Sequence, residues 1–581
     1  METRGDFAAN RRMLFLAGLA AGIGVIGSLA AVILIHLIAF FTNLFYFQRI
    51  SLDPIAPSRS ALGIWAIAVP VLGSLVIGLM ARFGSERIRG HGIPEALEAI
   101  LFGKSIMQPK VAILKPLSSA ISIGSGGPFG AEGPIIMTGG AFGSIIAQAF
   151  RLTAGERKTL LVAGAAAGMS ATFAAPMASV LLAIELLLFE WRPRSLVPVA
   201  VAAVVAALLR QVLLGAGPLF PVPAHAALPT WALLAAAGTG LAGGAFSAVL
   251  SWSLYRVEDG FMKLPIHWMW WPALGGLAVG IGGYLQPRAL GVGYDVIADL
   301  LNGRLPAPDA LSLVAVKCVI WTLALASGTS GGVLAPLLMM GASLGVLEAG
   351  LLPGTPATVW PLISMAAMLG GMMRAPFTAV VFAWELTHDQ DALLPLLIAS
   401  VAAYAFTVLA MKRSILTEKV ARRGYDLFRE YVVDPLERVR VRNVMSEHVL
   451  CIPAALPLRQ VLSRYFSASH KHRGYPVLGS AGELKGVLTS SDLLHLETLE
   501  PLDGIIAADL IRGTPIVAYP QESCRVAAER MASNGVGRMP VVEPSDPKRV
   551  LGIVTRSDLL KPRLQSVEEE DRPQRILGKP R

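Results

Sequence analysis

The chain has 581 residues, 54% hydrophobic and only 15% charged, with a mean hydropathy of +0.59. This composition excludes an ordinary soluble domain and a disordered chain, and it reads as a polytopic membrane protein. The net charge of +10 comes without a basic-aromatic surface of the kind that binds nucleic acid, and the basic flanks of membrane spans account for it.

Long apolar runs dominate from Met13 to about Met411, and charges recur every few residues from Lys412 onward, so a membrane domain precedes a soluble one. The first run, Met13 to Phe41, follows Arg11 and Arg12 and far exceeds the roughly 7–15 residue core of a signal peptide, which predicts a retained first helix after a short segment, 1–12. Arg4, Arg11 and Arg12 before it, with Lys412, Arg413, Lys419, Arg422 and Arg423 after the last run, predict two cytoplasmic termini and an even number of crossings. Cys318, Cys451 and Cys524 fit no disulfide or metal spacing, so free thiols and no metal site are expected.

The membrane part repeats itself. "GHGIPEALEAI" from Gly90 matches "GVGYDVIADLL" from Gly291. Pro134 matches Pro336, and Pro176 matches Pro376, with Glu185 and Glu385 each nine residues further on. Three motifs in one order at offsets of 200 to 202 predict two related halves, 13–215 and 229–424, a design that in transporters places the site between the halves on discontinuous helices. Runs such as "AGAAAGMSATFAAPMASVLLAIELL" break before a full crossing of about 20 residues. Such breaks survive at membrane depth only where protein or a wet cavity satisfies the backbone.

In "GHGIPEAL", "GAEGPIIM" and "GGVLAPLL" a glycine precedes a proline and an apolar helical run follows, the signature of a helix start. Free amides and the positive dipole end there bind an anion without a basic side chain, weakly enough to release it. Between Ile100 and Gly155 the only acid is Glu132. A carboxylate at such a start can occupy the anion position and leave when protonated or displaced, which makes Glu132 a candidate gate. The plain alternative is that Glu132 complements its own helix dipole, worth ~0.3–1 kcal/mol. For Glu185 and Glu385 interhelical or backbone hydrogen bonding is the favoured reading.

At these residues the sequence resembles the CLC family of chloride channels and proton-coupled chloride exchangers, over about residues 13–424. "GHGIPE" is similar to the family's GSGIP turn, "GAEGP" to G(K/R)EGP, "GGVLAP" to GxFxP, and "TEKVARRG" to the cytoplasmic end of the last helix. The resemblance implies an all-α polytopic membrane domain with broken helices, and a homodimer with one chloride pore per subunit in the lipid of the cell (inner) membrane. It implies Glu132 as the external gating glutamate. It also implies a central anion at the first turn (His91, Gly92, Ile93) and at the amides of Val333 and Leu334, and an outer site at the amides of Ala131, Leu334 and Ala335.

Four positions depart from the family pattern. His91 replaces a serine donor, although an imidazole N–H can donate instead and responds to pH. Leu416 replaces a tyrosine that closes the central site, and Ala131 replaces Lys or Arg. Leu186 replaces the internal proton glutamate of exchangers, leaving Glu185, Glu190 or water to carry protons with Glu132.

The soluble part holds a second duplication: "RGYPVLGSAGELKGVLTSSDLL" matches "GRMPVVEPSDPKRVLGIVTRSDLL" with two extra residues in the second copy. It is similar to a tandem pair of CBS domains, here 441–496 and 504–562 after a linker, 425–440, an α+β cytoplasmic unit. The resemblance makes Thr489, Asp492, Thr555 and Asp558 candidates for an adenine-nucleotide site, with helix capping as the alternative role. No cofactor is required. The tail, 563–581, is charged and expected to lack structure.

The function expected is therefore chloride conduction of the voltage-gated channel type, gated by Glu132 and regulated through the CBS pair. A chloride/proton exchanger is the first alternative and a CBS-regulated cation carrier the second. No nucleophile–base set suggests an enzyme.

Overall fold

Proline and glycine punctuate the apolar sequence, and helices begin and end where they fall. In the computed structural model the first half consists of α1 (Arg12–Phe47), α2 (Ala68–Phe83), α3 (Ile93–Leu101), α4 (Pro109–Gly124), α5 (Glu132–Ala149), α6 (Ala154–Phe173), α7 (Pro176–Leu182) and α8 (Pro193–Leu213). The second consists of α9 (Thr230–Met262), α10 (Trp271–Leu285), α11 (Tyr294–Leu301), α12 (Ala307–Ala326), α13 (Leu334–Ala349), α14 (Val359–Met373), α15 (Pro376–Thr387) and α16 (Leu393–Ala410), with α17 (Ile415–Arg422) following. A first-turn proline opens α3, α4, α7, α8, α10, α12 and α15, where its missing N–H costs nothing. The structure describes residues 12–226, 228–424, 435–467, 472–494, 504–511, 513–546 and 548–571. Arg4 and Arg11 lie outside these residues, as do linker residues 425–434.

The duplication is present helix for helix, α1 with α9 through α8 with α16. The halves also meet reciprocally. Gly130 N donates to Gly332 O at 3.1 Å and Gly332 N to Gly130 O at 2.8 Å, an antiparallel bridge between residues 202 apart. Bonds exchanged between equivalent residues are the mark of a local two-fold axis.

Among the described residues six helices are long and apolar enough to cross a membrane. The breaks fall alike in both halves: α6 ends at left-handed Ala174 before Pro176, and α14 ends at left-handed Arg374 before Pro376. In the first half the piece after the break changes pitch, with a π-helical segment at Ala183–Leu188.

The second unit, Asp426–Arg572, carries two small sheets. In one, β1 (Ile452–Pro453) runs parallel to β2 (Gly474–Leu478), which pairs antiparallel with β3 (Leu484–Thr489). In the other, β4 (Arg538–Val542) pairs antiparallel with β5 (Val550–Thr555), and a single parallel bridge from Ala518 to Val541 stands in for the outer strand. The two extra residues of the second copy fall in its hairpin loop, 543–549 against 479–483.

The copies exchange their leading segments. Val441 and Val444, which open the first repeat in sequence, are buried with Met539, Val541 and Val554 of the second. Ala507, which opens the second, is buried with Ile452, Val477 and Leu488 of the first. Repeat boundaries read from sequence similarity therefore do not coincide with the packed cores.

The expectation that the tail from residue 563 lacks structure is corrected in part. The helix Arg556–Asp571 runs through its start, because Leu559 anchors it in the second core. Residues 572–581 lie outside the description.

Candidate functional site

The three glycine-proline turns, far apart in sequence, converge. α3, α5 and α13 start after Gly92, Ala131 and Val333. Their turns are stitched by Gly90 N to Thr329 O at 3.1 Å, Gly331 N to Gly90 O at 3.4 Å and the reciprocal Gly130–Gly332 pair. Gly133 makes the contact possible, since a Cβ there would sit 1.8 Å from the His91 carbonyl oxygen. Gly92 holds φ at 91°, a conformation open to glycine.

Glu132 lies fully buried at this meeting point. Its Oε1 accepts a hydrogen bond from the Ala335 amide, across the half boundary, at 2.7 Å. The amides of Leu334 and of Glu132 itself act on the same carboxylate. Oε2 has no partner. The carboxylate is thus held by backbone amides, with the Lys317 charge also acting on it, as a helix start holds an anion.

The other expected residues are buried within the membrane domain. His91 is 1% exposed, and neither ring nitrogen has a partner. Ile93, Ala131, Val333, Leu334, Ala335 and Leu416 are all buried. On the first turn Glu95 accepts from Gly92 N at 2.9 Å and pairs with Arg423 at 2.8 Å and Lys419 at 3.8 Å, which ties α17 to α3.

Sequence reasoning missed two lysines. Lys115, wholly buried, donates to Ile88 O at 2.8 Å and Gly90 O at 2.7 Å. Lys317, also wholly buried, donates to Ala289 O at 2.9 Å and Gly291 O at 3.0 Å. Each clamps the turn ahead of the short helix of its own half. The signal was there: a lone lysine recurs at an offset of 202, inside the apolar runs "AILKPL" and "AVKCVI".

Glu185 and Glu385 are engaged reciprocally. Glu185 accepts from Thr378 N at 2.8 Å and Thr378 Oγ1 at 2.6 Å, at the start of α15. Glu385 accepts from Met177 N at 2.9 Å and Ala178 N at 2.8 Å, at the start of α7. Each half thus supplies the acid that caps the other half's broken helix. Leu186 is buried, and Glu190 accepts from Ser195 Oγ at 2.7 Å at the start of α8.

Next to Glu132 a cavity of about 320 Å³ is walled by Ile38, Ala131, Leu290 and Tyr294, with exposed Arg59 and Arg288 also on its lining. Asp295 also lines it and Arg288 lies 3.8 Å from Asp309, so the charge on its wall is mixed.

Residues 72–408 match the voltage gated chloride channel family, and residues 441–498 and 507–564 each match the CBS domain. The chain belongs to the CLC family of chloride channels and transporters. A ClcB-like protein of Ralstonia nicotianae is 31% identical over 384 residues, 64% of this chain and 89% of its own. The H+/Cl− exchange transporter ClcA of Klebsiella pneumoniae is 29% identical over 363 residues, 58% and 75% of the two chains. A slow cyanobacterial Cl−/H+ antiporter shares the fold with a TM-score of 0.63 at 22% identity, covering 72% of this chain and 99% of that one. CLC proteins transport chloride across membranes, and the helical membrane domain and tandem CBS unit described above are those of this CLC chain.

In the CBS unit the threonine and aspartate of each copy bond to one another. Thr489 donates to Asp492 Oδ2 from its amide at 2.8 Å and its hydroxyl at 2.6 Å. Thr555 does the same to Asp558 at 3.0 and 2.7 Å, and Lys561 takes the other Asp558 oxygen at 2.6 Å. Burial pushes the Asp558 carboxyl up, but Lys561 and Thr555 outweigh it and hold it below the ordinary carboxylate value. Among the described residues Asp492 Oδ1 has no partner, whereas both oxygens of Asp558 are engaged.

Proposed function

We propose that this CLC chain conducts chloride passively through a pore at the convergence of α3, α5 and α13, with Glu132 as the gate. The observation that carries the reading is the 2.7 Å bond from the Ala335 amide to Glu132 Oε1, in which a side-chain anion takes the donor that a chloride ion needs. Protonation or competition by chloride releases it. Val333, Leu334 and Ala131 contribute the surrounding amides, and His91, with both ring nitrogens unpartnered, donates an imidazole N–H at the inner turn.

Passive conduction is favoured over exchange by the proton side of the path. Leu186 is apolar and buried, Glu185 is committed to Thr378 and Glu190 to Ser195. The exchange activity named for the Klebsiella relative makes coupled exchange the second reading. A homodimer with both termini in the cytoplasm and regulation through the CBS unit, by an adenine nucleotide at Thr489 and Asp492, complete the proposal.

Purified protein in proteoliposomes tests it. Glu132→Gln is expected to raise chloride efflux and remove its acid dependence. The reversal potential under opposed chloride and proton gradients is expected to follow chloride alone. A fixed stoichiometric shift with the proton gradient replaces the channel reading with exchange, and no change in efflux on Glu132→Gln removes the gate.

A further inference from the structure

Tyr294 opens α11, the second-half counterpart of α3, in the place that Ile93 takes 201 residues earlier. Its ring stands edge-on to Phe173 at 6.1 Å and to Phe220 at 5.9 Å, and Phe173 is itself braced by Phe382 at 5.0 Å. A ring held from two sides gives its hydroxyl a fixed aim. That hydroxyl is buried and has no hydrogen-bond partner among the described residues. An orphan of this kind is costly and calls for a reason.

The surroundings supply one. Tyr294 lines the cavity together with Ala131, the residue before Glu132, and lies within electrostatic reach of the Glu132 carboxylate. Glu132 Oε2 is the second buried orphan here. One is a donor and the other an acceptor. Glu132 itself does not line the cavity, so its side chain has open space to enter on leaving the Ala335 amide.

We propose that Tyr294 is the positioning residue that receives the open gate: the Glu132 carboxylate leaves the Ala335 amide, swings past Ala131 into the cavity and accepts a hydrogen bond from the Tyr294 hydroxyl. The inference rests on the reading of Glu132 as the gate. The hydroxyl donates to the displaced group whether chloride has expelled it as a carboxylate, when the bond is charge-assisted, or protonation has released it as a neutral acid whose carbonyl oxygen still accepts, and it stabilises the displaced state against the backbone donors left behind. The closed state keeps both groups waiting, which accounts for two complementary orphans in one neighbourhood.

Chloride efflux from proteoliposomes is measured for wild type, Tyr294→Phe, Glu132→Ala and the double variant. Tyr294→Phe is expected to lower efflux roughly ten- to hundredfold, the worth of one hydrogen bond to a charged group. In the Glu132→Ala background it is expected to have no effect. An equal loss in both backgrounds overturns the proposal, because the hydroxyl then serves the transported anion. Wild-type efflux from Tyr294→Phe overturns it as well. If Glu132→Ala leaves efflux unchanged, the gate reading fails, a result distinct from the other two. A density map of Glu132→Gln, which retains Tyr294, is independent of how the phenylalanine variant folds: the side chain at position 132 is expected within hydrogen-bond distance of the Tyr294 oxygen, and finding it on Ala335 or elsewhere overturns the proposal.

Discussion

The two halves of the membrane domain share eight helices in the same order, yet their chemistry differs at a few positions. Glu132 of the first half corresponds to Leu334 of the second, and His91 and Ile93 correspond to Val292 and Tyr294. Lys115 and Lys317, by contrast, make the same pair of bonds in each half, and Glu185 and Glu385 cap each other's helices. Residues that recur serve the scaffold, because a duplicated break in a helix poses the same backbone problem twice. Residues that diverge are free of that duty and are where function is to be sought.

The comparison is sharpened most by the lysine clamps. Lys115→Met leaves the Ile88 carbonyl without its donor and the Gly90 carbonyl with only the long bond from Gly331 N, Lys317→Met removes the lysine donor from the carbonyls of Ala289 and Gly291, and each is expected to cost about 2–5 kcal/mol of stability. Thermal denaturation in detergent measures it. Similar losses in both support a scaffold role, and a loss confined to one half breaks the symmetry argument.

Glu185→Gln and Glu385→Gln come next, at about 1.5–3 kcal/mol each for charged hydrogen bonds replaced by neutral ones. Both are expected to lower the denaturation midpoint and leave the reversal potential unchanged. A changed proton dependence for Glu185→Gln alone would make that residue a proton carrier and set it apart from its counterpart.

His225 and Asp389 test whether every divergent residue is functional. They pair at 2.8 Å, and the first-half counterpart of Asp389 is Phe189. Burial pulls the His225 imidazole down, but the Ala226 carbonyl and Asp389 outweigh it and set it above its ordinary 6.5. Its contribution is therefore fully present below the unfolded value and is lost as pH rises through the raised folded one. His225→Asn is expected to cost less than about 1 kcal/mol of stability at pH 5.5, read as a slightly lower melting temperature, and nothing at pH 8.5, with efflux unchanged.

The CBS unit extends the comparison to the soluble part, where each copy closes the same threonine–aspartate pair. Thr489→Ala and Thr555→Ala are each expected to cost about 0.5–2 kcal/mol, read by denaturation of the full chain. Calorimetric titration with ATP that loses its heat in Thr489→Ala alone would separate a ligand role in the first copy from capping in the second.

Much of this was legible in the sequence because periodicity and punctuation are local. Offsets of 200 to 202 gave the paired helices, glycine and proline gave the helix starts at 93, 132 and 334, and the lone acid at 132 stood out against an uncharged background. Lys115 and Lys317 were overlooked because a lysine in an apolar run gives no hint of which carbonyls it reaches. The exchanged leading segments of the CBS copies were hidden for a similar reason: sequence similarity marks repeats, whereas burial decides which core a segment completes.

The sequence by itself determined that the chain lies in a membrane, is duplicated, breaks its helices at set points and carries one acid at a helix start. Only the tertiary structure decided that Glu132 rests on the amide of Ala335, that Glu185 and Glu385 serve opposite halves, and that Tyr294, its hydroxyl unpaired among the described residues, shares a cavity wall with Ala131. These are contacts between residues about 160 to 210 positions apart, set by how two folded halves meet, and no local rule of the chain encodes a distance across that boundary.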